Sequence, residues 1–273
     1  MSSLPLTIGS GDVLAEIITA KPQVLVMTDY DGTLVSIRER PELAIPGSEV
    51  VAAVDRLREL ETIAFAVISG RSLEDLEKII PVSGIHLIGC HGAQFRNPNG
   101  ERFERVNPDR LQPVIDRLAE LASGCIGGKE GFLIEHKGIA LALHYREAAI
   151  SGQAAAGAVP EILGSFIKTA CPLMAGSGLE TIAGKKVLEI RPCYINKGMA
   201  VKYLMDLYPE HYPVYFGDDT TDEDAFAAVA ERGTGVLVSR RTLAASGRFS
   251  AASLRLPQPE DVIRLLEKLA AGS

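Results

Sequence analysis

Two features of the sequence predict an α/β fold with a parallel sheet, interrupted by an α+β domain. Apolar runs without alternation recur at residues 24–28, 63–68, 85–90, 214–216 and 235–238, with helix-like segments between them. Such runs suit strands covered by helices on both faces. Between residues 107 and 185 the order changes to helix, two strands, helix and two or three strands, an α+β pattern. This predicts a core domain split into residues 1–106 and 186–273, with residues 107–185 inserted as a second domain. A length of 273 residues agrees, because single cores stop growing at about 250–300 residues.

Taken in order, residues 10–20 read as a short helix capped by Ser10 or Asp12, with Val13, Ile17 and Ile18 on its apolar side. The first strand is 24–28. Pro41 and Pro46-Gly47 mark a loop, and Ser48 opens a helix whose apolar positions are Val50, Val51, Val54, Leu57 and Leu60. The strand at 63–68 ends in Ser69-Gly70-Arg71, and Ser72 starts a helix through Leu73, Leu76 and Ile80. The strand at 85–90 ends in Gly89-Cys90-His91-Gly92. Asn97-Pro98-Asn99-Gly100 reads as a hairpin tip.

Asn107-Pro108 then opens a helix bearing Leu111, Val114, Ile115, Leu118 and Leu121. Residues 131–135 and 139–145 read as strands joined at Lys137-Gly138, and 151–169 as an alanine-rich helix interrupted by Pro160. Residues 173–175, 179–182 and 187–190 are again strand-like. The alternation resumes with a helix at 199–207, Lys197 near its start, and a strand at 214–216 ending in Gly217-Asp218-Asp219. Thr221 caps a helix at 222–230, with acidic residues in its first turn where the helix dipole favours them. A strand at 235–238 and an amphipathic helix at 261–269 follow.

Composition narrows the function. With 28 Lys and Arg against 35 Asp and Glu, the net charge is −7. That argues against a nucleic-acid or anionic-membrane partner, since phosphate backbones need basic patches. The four cysteines form no C-x-x-C pair and have no zinc-like spacing. No signal peptide is evident near the start, and no apolar run approaches the roughly 20 residues that cross a bilayer. A cytoplasmic location is the expectation.

The chemistry concentrates at strand ends. Asp29 and Asp31 follow the first strand one residue apart; continued strand geometry would point both the same way, about 6–7 Å apart. Asp and Gly are also ordinary turn residues, so this stretch alone fits a solvated turn. Ser69 with Arg71, Lys197, and Asp218 with Asp219 and Asp222 fall at other strand ends or helix starts of the same split domain. The carboxyl ends of the strands are where open α/β sheets bind ligands. Carboxylates converging there repel one another without a cation. Oxygen-only donors select a hard ion, usually Mg²⁺. A lysine and a serine hydroxyl beside such an ion make a clamp for a phosphoryl group, with one carboxylate as nucleophile and another to protonate a leaving alkoxide. Read singly, Lys197 also fits a solvated first-turn lysine, and Arg71 also fits a partner for a carboxylate or for the Ser69 loop.

Asp29-Tyr30-Asp31-Gly32-Thr33-Leu34, Ser69-Gly70-Arg71, Lys197 and Gly217-Asp218-Asp219-Thr220-Thr221-Asp222-Glu223 together resemble the four motifs of the haloacid dehalogenase (HAD) superfamily. The last motif followed by Phe226, with Glu135-x-Lys137-Gly138 and Leu143-His144-Tyr145-Arg146 in the insert, is similar to the trehalose-6-phosphate phosphatase family. The resemblance implies a Rossmann-like HAD core with an inserted α+β cap, and Mg²⁺-dependent hydrolysis of trehalose 6-phosphate through an aspartyl-phosphate. It implies Asp29 as nucleophile and Asp31 as general acid and then base, its effective pKa above that of Asp29. Asp29, Asp218 and the backbone carbonyl of Asp31 would hold the metal, supported by Asp219 or Asp222. Ser69 and Lys197 would hold the phosphate, with Arg71 in or near the substrate site. Glu135, Lys137 and Glu189 would meet the distal glucose, although the first two also fit an exposed hairpin pair. Gln94 stands where the family often has Glu. Other sugars remain open, namely sucrose 6-phosphate or a glucosyl- or mannosyl-3-phosphoglycerate, as do a phosphosugar mutase and a non-catalytic regulatory subunit. A trehalose-phosphate synthase is a conceivable partner on the same resemblance.

Overall fold

A computed structural model describes residues 6–7, 11–126, 128–150, 153–240 and 250–271. The chain opens with β1 (Leu6–Thr7), α1 (Gly11–Thr19), β2 (Val24–Thr28), α2 (Ser48–Leu57), β3 (Ile63–Ile68), α3 (Leu73–Ile79), β4 (His86–Gly89), β5 (Gln94–Arg96) and β6 (Arg102–Glu104). Next come α4 (Pro108–Ile126), β7 (Leu133–His136), β8 (Leu141–His144), α5 (Arg146–Ile150), α6 (Gln153–Met174), β9 (Leu179–Gly184) and β10 (Val187–Pro192). The last elements are α7 (Lys197–Leu207), β11 (Tyr212–Gly217), α8 (Glu223–Val229), β12 (Thr234–Val238), β13 (Leu254–Leu256) and α9 (Pro259–Ala271). The predicted capping residue Ser10 and the predicted helix start at Ser151 lie outside the described residues.

Two units result. One holds the described residues up to Phe103 and from Asn196 onward, and the other is Glu104–Ile195. The first unit carries a nine-stranded sheet in the order β1-β13-β12-β11-β2-β3-β4-β5-β6, parallel from β1 across to β4 and antiparallel between β4 and β5. All five residues of β2 are buried because each sheet face is covered. Val24 and Val26 pack with Leu14, Val54 and Leu266 of α1, α2 and α9. Leu25 and Met27 pack with Val201 of α7 and Phe226 of α8. Burial on both faces is why the strands read as unbroken apolar runs.

The second unit is a four-stranded antiparallel sheet, β7-β8-β10-β9. Leu141, Leu143, Leu188 and Ile190 pack on one face against Ile115 and Leu118 of α4 and Phe166 and Ala170 of α6. Strand alternation sends Glu135, Glu189 and Arg191 to the opposite face.

Three expectations change. The boundary at 185/186 gives way, since β10 pairs with β8 and β9 in the second unit's sheet. Residues 173–175 form no strand; α6 runs to Met174 through both Pro160 and Pro172, its packing through Phe166 and Ala170 outweighing the lost backbone bonds. Finally, β2 stops at Thr28, and Leu34 and Val35 return to the carbonyl of Tyr30 in a turn, so strand alternation does not extend to Asp31.

Candidate active site

The carboxyl ends of β2, β3 and β11 bring together most of the predicted core residues. The N–H of Asp29 donates to the carbonyl of Phe216 at 2.8 Å, which locks the residue after β2 onto β11. Its carboxylate is 6% exposed. Lys197, the first residue of α7, is held by the Asn196 cap, whose side chain accepts from the N–H of Met199. The Lys197 ammonium is 3% exposed and donates to Asp29 Oδ1 and to Asp222 Oδ1, both at 2.7 Å.

Asp222 organises the fourth motif. Its Oδ1 also accepts from the Tyr215 hydroxyl at 2.6 Å, and its Oδ2 accepts the N–H groups of Asp218 and Asp219 at 2.9 Å each. These four bonds use the acceptor capacity of a carboxylate. Asp219 closes the capping box of the short turn at Thr220–Asp222, its Oδ1 accepting from the N–H of Thr220 at 2.7 Å. One oxygen from each of Asp29, Asp218 and Asp222 lies within 4.8 Å of the others. Two glycines make room. Gly32 has φ +93°, and a Cβ there would stand 2.1 Å from Asp218 Oδ2; at Gly217 a Cβ would stand 2.4 Å from Asp222 Cγ.

The electrostatics follow from this packing. Burial raises the pKa of Asp29 well above the carboxylate range; Lys197 opposes the rise and Asp222 and Asp218 add to it. Burial also works to raise Asp222, but the charge and hydrogen bond of Lys197 outweigh it and the net shift is downward. For Lys197, burial works downward and is overcome by Asp222 and Asp29, which hold it protonated. The burial penalty thus falls on Asp29, whose side chain is 6% exposed, whereas the Asp31 side chain is 37% exposed.

Asp31 has a different partner. Arg71 grips both of its oxygens at 2.7 Å, donates to the carbonyl of Pro41 at 2.7 Å, and lies over the Tyr30 ring at 4.9 Å. A fork-to-fork pair of this kind is strong and directional. Ser69 is buried at the end of β3, and its Oγ accepts from the N–H of Arg71 at 3.2 Å. Gln94 serves a helix end, with Oε1 accepting from the N–H of Leu73 at 3.0 Å.

Within the inserted unit, Glu135, Lys137 and Glu189 do come together. Lys137 Nζ lies 3.0 Å from Glu189 Oε1 and 3.8 Å from Glu135 Oε2, and its side chain is 8% exposed. The reading of an exposed hairpin pair is therefore set aside. His144 Nε2 sits 2.7 Å from Glu135 Oε2; its alternation with Ala142 on β8 could have placed it on this face. Tyr215 and Thr33 also escaped the sequence reading. Tyr215 reads as core, yet a buried tyrosine hydroxyl needs a partner. Thr33 Oγ1 stands 3.5 Å from Asp29 Oδ2.

Comparison with known proteins places the chain in a family. A model of the trehalose-phosphatase family matches residues 27–260. The trehalose-phosphate phosphatase of Mycobacterium marinum is 31% identical over 256 residues, which span 92% of this chain and 62% of that protein. The C-terminal domain of the C. albicans trehalose-6-phosphate phosphatase superposes with TM-score 0.82 at 23% identity, covering 99% of each chain. A haloacid dehalogenase-like hydrolase from Bacteroides thetaiotaomicron shares the fold with TM-score 0.62 at 16% identity, covering 90% of this chain and 99% of that one. A haloacid dehalogenase-like α/β core with an inserted unit, carrying the buried Asp29–Lys197–Asp222 cluster, thus accompanies the family match, and the chain belongs to the trehalose-phosphatase family.

Proposed function

We propose that this protein hydrolyses trehalose 6-phosphate to trehalose and phosphate, with Asp29 as nucleophile and Mg²⁺ as cofactor. The observation that carries the reading is the buried cluster in which Lys197 faces Asp29 and Asp222 while Asp218 closes in over Gly32. Three carboxylates around one ammonium leave a deficit of positive charge, and the donors are all oxygen. That set fits a hard divalent cation. Asp222 is fully engaged by Lys197, Tyr215 and two backbone N–H groups, so Asp29 and Asp218 would hold the metal, and the family resemblance adds the backbone carbonyl of Asp31. When bound, Mg²⁺ supplies charge neutralisation for the phosphoryl oxygens and keeps Asp29 ionised.

In the first step an Asp29 oxygen attacks phosphorus and the bond from phosphorus to the sugar oxygen breaks, while Asp31 gives that oxygen its proton. In the second, water attacks phosphorus, Asp31 takes its proton, and the Asp29 acyl-phosphate bond breaks to release phosphate. Lys197 and Ser69 hold the phosphoryl group. Arg71 grips Asp31 in the resting enzyme, and the substrate phosphate competes for the same guanidinium donors. Glu135, Lys137 and Glu189 receive the distal glucose; hydroxyls lacking there would leave buried polar groups unmatched.

The test is a phosphate-release panel over trehalose 6-phosphate, sucrose 6-phosphate, glucosyl-3-phosphoglycerate and glucose 1-phosphate, each with Mg²⁺ and with a chelator. Trehalose 6-phosphate should give the highest kcat/KM, and the chelator should stop release. No release from trehalose 6-phosphate with Mg²⁺ would end the reading.

A further inference from the structure

The face of the inserted unit's sheet that turns away from α4 and α6 carries more than the three residues assigned to the sugar. Arg191 follows Glu189 by two positions on β10, so both stand on that face. In the register of the sheet Glu189 lies beside Ala142 of β8 and Ile182 of β9, and Arg191 beside Glu180 of β9. The Arg191 side chain is 5% exposed. Its Nε lies 3.4 Å from Glu180 Oε1, while Nη1 is buried and has no hydrogen-bond partner. Buried donors are nearly always matched, and a charged one left unmatched is costly.

The chemistry around it indicates what would complete that donor. Glu135 and Glu189 only accept, whereas Lys137 and Arg191 only donate. Every sugar hydroxyl both donates and accepts, so a surface mixing carboxylates with cations suits neighbouring hydroxyls. We propose that Arg191 is a specificity-determining residue, its Nη1 donating to a hydroxyl or ring oxygen of the same sugar that Glu135 and Glu189 engage. The assignment rests on the reading of the enzyme as a disaccharide-phosphate phosphatase, and goes beyond it by adding a buried arginine to the recognition surface. The alternative is a purely structural arginine that ties β10 to β9 through Glu180.

The experiment compares the full chain with Arg191→Met and Arg191→Lys, using trehalose 6-phosphate and p-nitrophenyl phosphate, which has no sugar. Arg191→Met keeps the side-chain bulk without charge; the lysine keeps charge without the second donor. The expected result is a KM for trehalose 6-phosphate raised at least tenfold in Arg191→Met. The ratio of kcat/KM between the two substrates should fall by the same factor, and Arg191→Lys should fall between that variant and the wild type. Should Arg191→Met not fold, the lysine variant alone must still lower the ratio. An unchanged ratio overturns the proposal, whether both activities fall together or neither falls. If the wild-type protein hydrolyses p-nitrophenyl phosphate but not trehalose 6-phosphate, the substrate reading has failed instead. The same ratio is then taken with the best sugar phosphate of the panel, where no change in the variants again overturns the role of Arg191.

Discussion

Replacing Lys197 with Met is the perturbation for which the structure supplies the fullest arithmetic. The ammonium makes two contacts of 2.7 Å, to Asp29 and Asp222, whose side chains are 6% and 0% exposed. Removing one member of a buried ion pair costs about 3–5 kcal/mol, because the remaining charges stay buried. At roughly 2–4 °C per kcal/mol for a unit of this size, Tm should fall by about 6–20 °C, measured by calorimetry in chelator. The sign of the pH dependence is also determined. Without Lys197 the folded-state pKa of both carboxylates rises above the unfolded value of about 4. The variant's stability is then fully present below that value and lost as pH rises through the raised folded pKa. The gap to wild type should therefore narrow toward pH 4–5 and widen toward pH 8. Adding Asp222→Asn should recover part of the loss, a coupling expected for groups in contact. A variant that melts with the wild type at pH 8, or a loss unrelieved by Asp222→Asn, would refute this account of the cluster.

Two further outcomes follow from local geometry. Gly32→Ala puts a Cβ into a left-handed turn and 2.1 Å from Asp218 Oδ2; the cost should be about 1–3 kcal/mol, and the Mg²⁺ concentration for half-maximal activity should rise about tenfold. A titration unchanged from wild type would separate Asp218 from metal binding. His86, on β4, is bonded through Nε2 to the Tyr208 hydroxyl at 2.9 Å, and burial lowers its pKa from 6.5 to about 4. The unfolded chain therefore binds this proton first, and stability is present above pH 6.5 and lost as pH falls toward 4. About 2 kcal/mol should disappear between pH 7.5 and 5 in denaturant unfolding, and His86→Gln should lack that loss relative to wild type. Equal pH slopes in the two proteins would count against a neutral buried His86.

Much of the fold was legible because the parallel strands carry it. β2 and β3 read directly from 24–28 and 63–68, since burial on both faces leaves unbroken apolar runs. β13, three residues at Leu254–Leu256 joining β12 to β1, was not legible, being too short to show a period. The helix through Pro160 and Pro172 departs from its local breaker signal because packing overrides it. At the site, residue types and spacing marked Asp29, Lys197 and Asp218 as belonging to one edge. They could not say that Asp29 would be the buried carboxylate and Asp31 the one held by Arg71. That difference arises from the turn after Thr28 and from Lys197, 168 positions further along the chain.

The most direct test of Asp29 as phosphoryl acceptor is phosphate release from trehalose 6-phosphate with saturating Mg²⁺, comparing the wild-type chain with Asp29→Asn. Asparagine has nearly the volume of aspartate but cannot form an acyl-phosphate, so the comparison isolates the nucleophile. The expected result is rapid release by the wild type and a fall in kcat of at least about 10³-fold in the variant, with its far-UV circular dichroism spectrum at the assay temperature retained. Turnover by Asp29→Asn within tenfold of wild type would contradict the central claim.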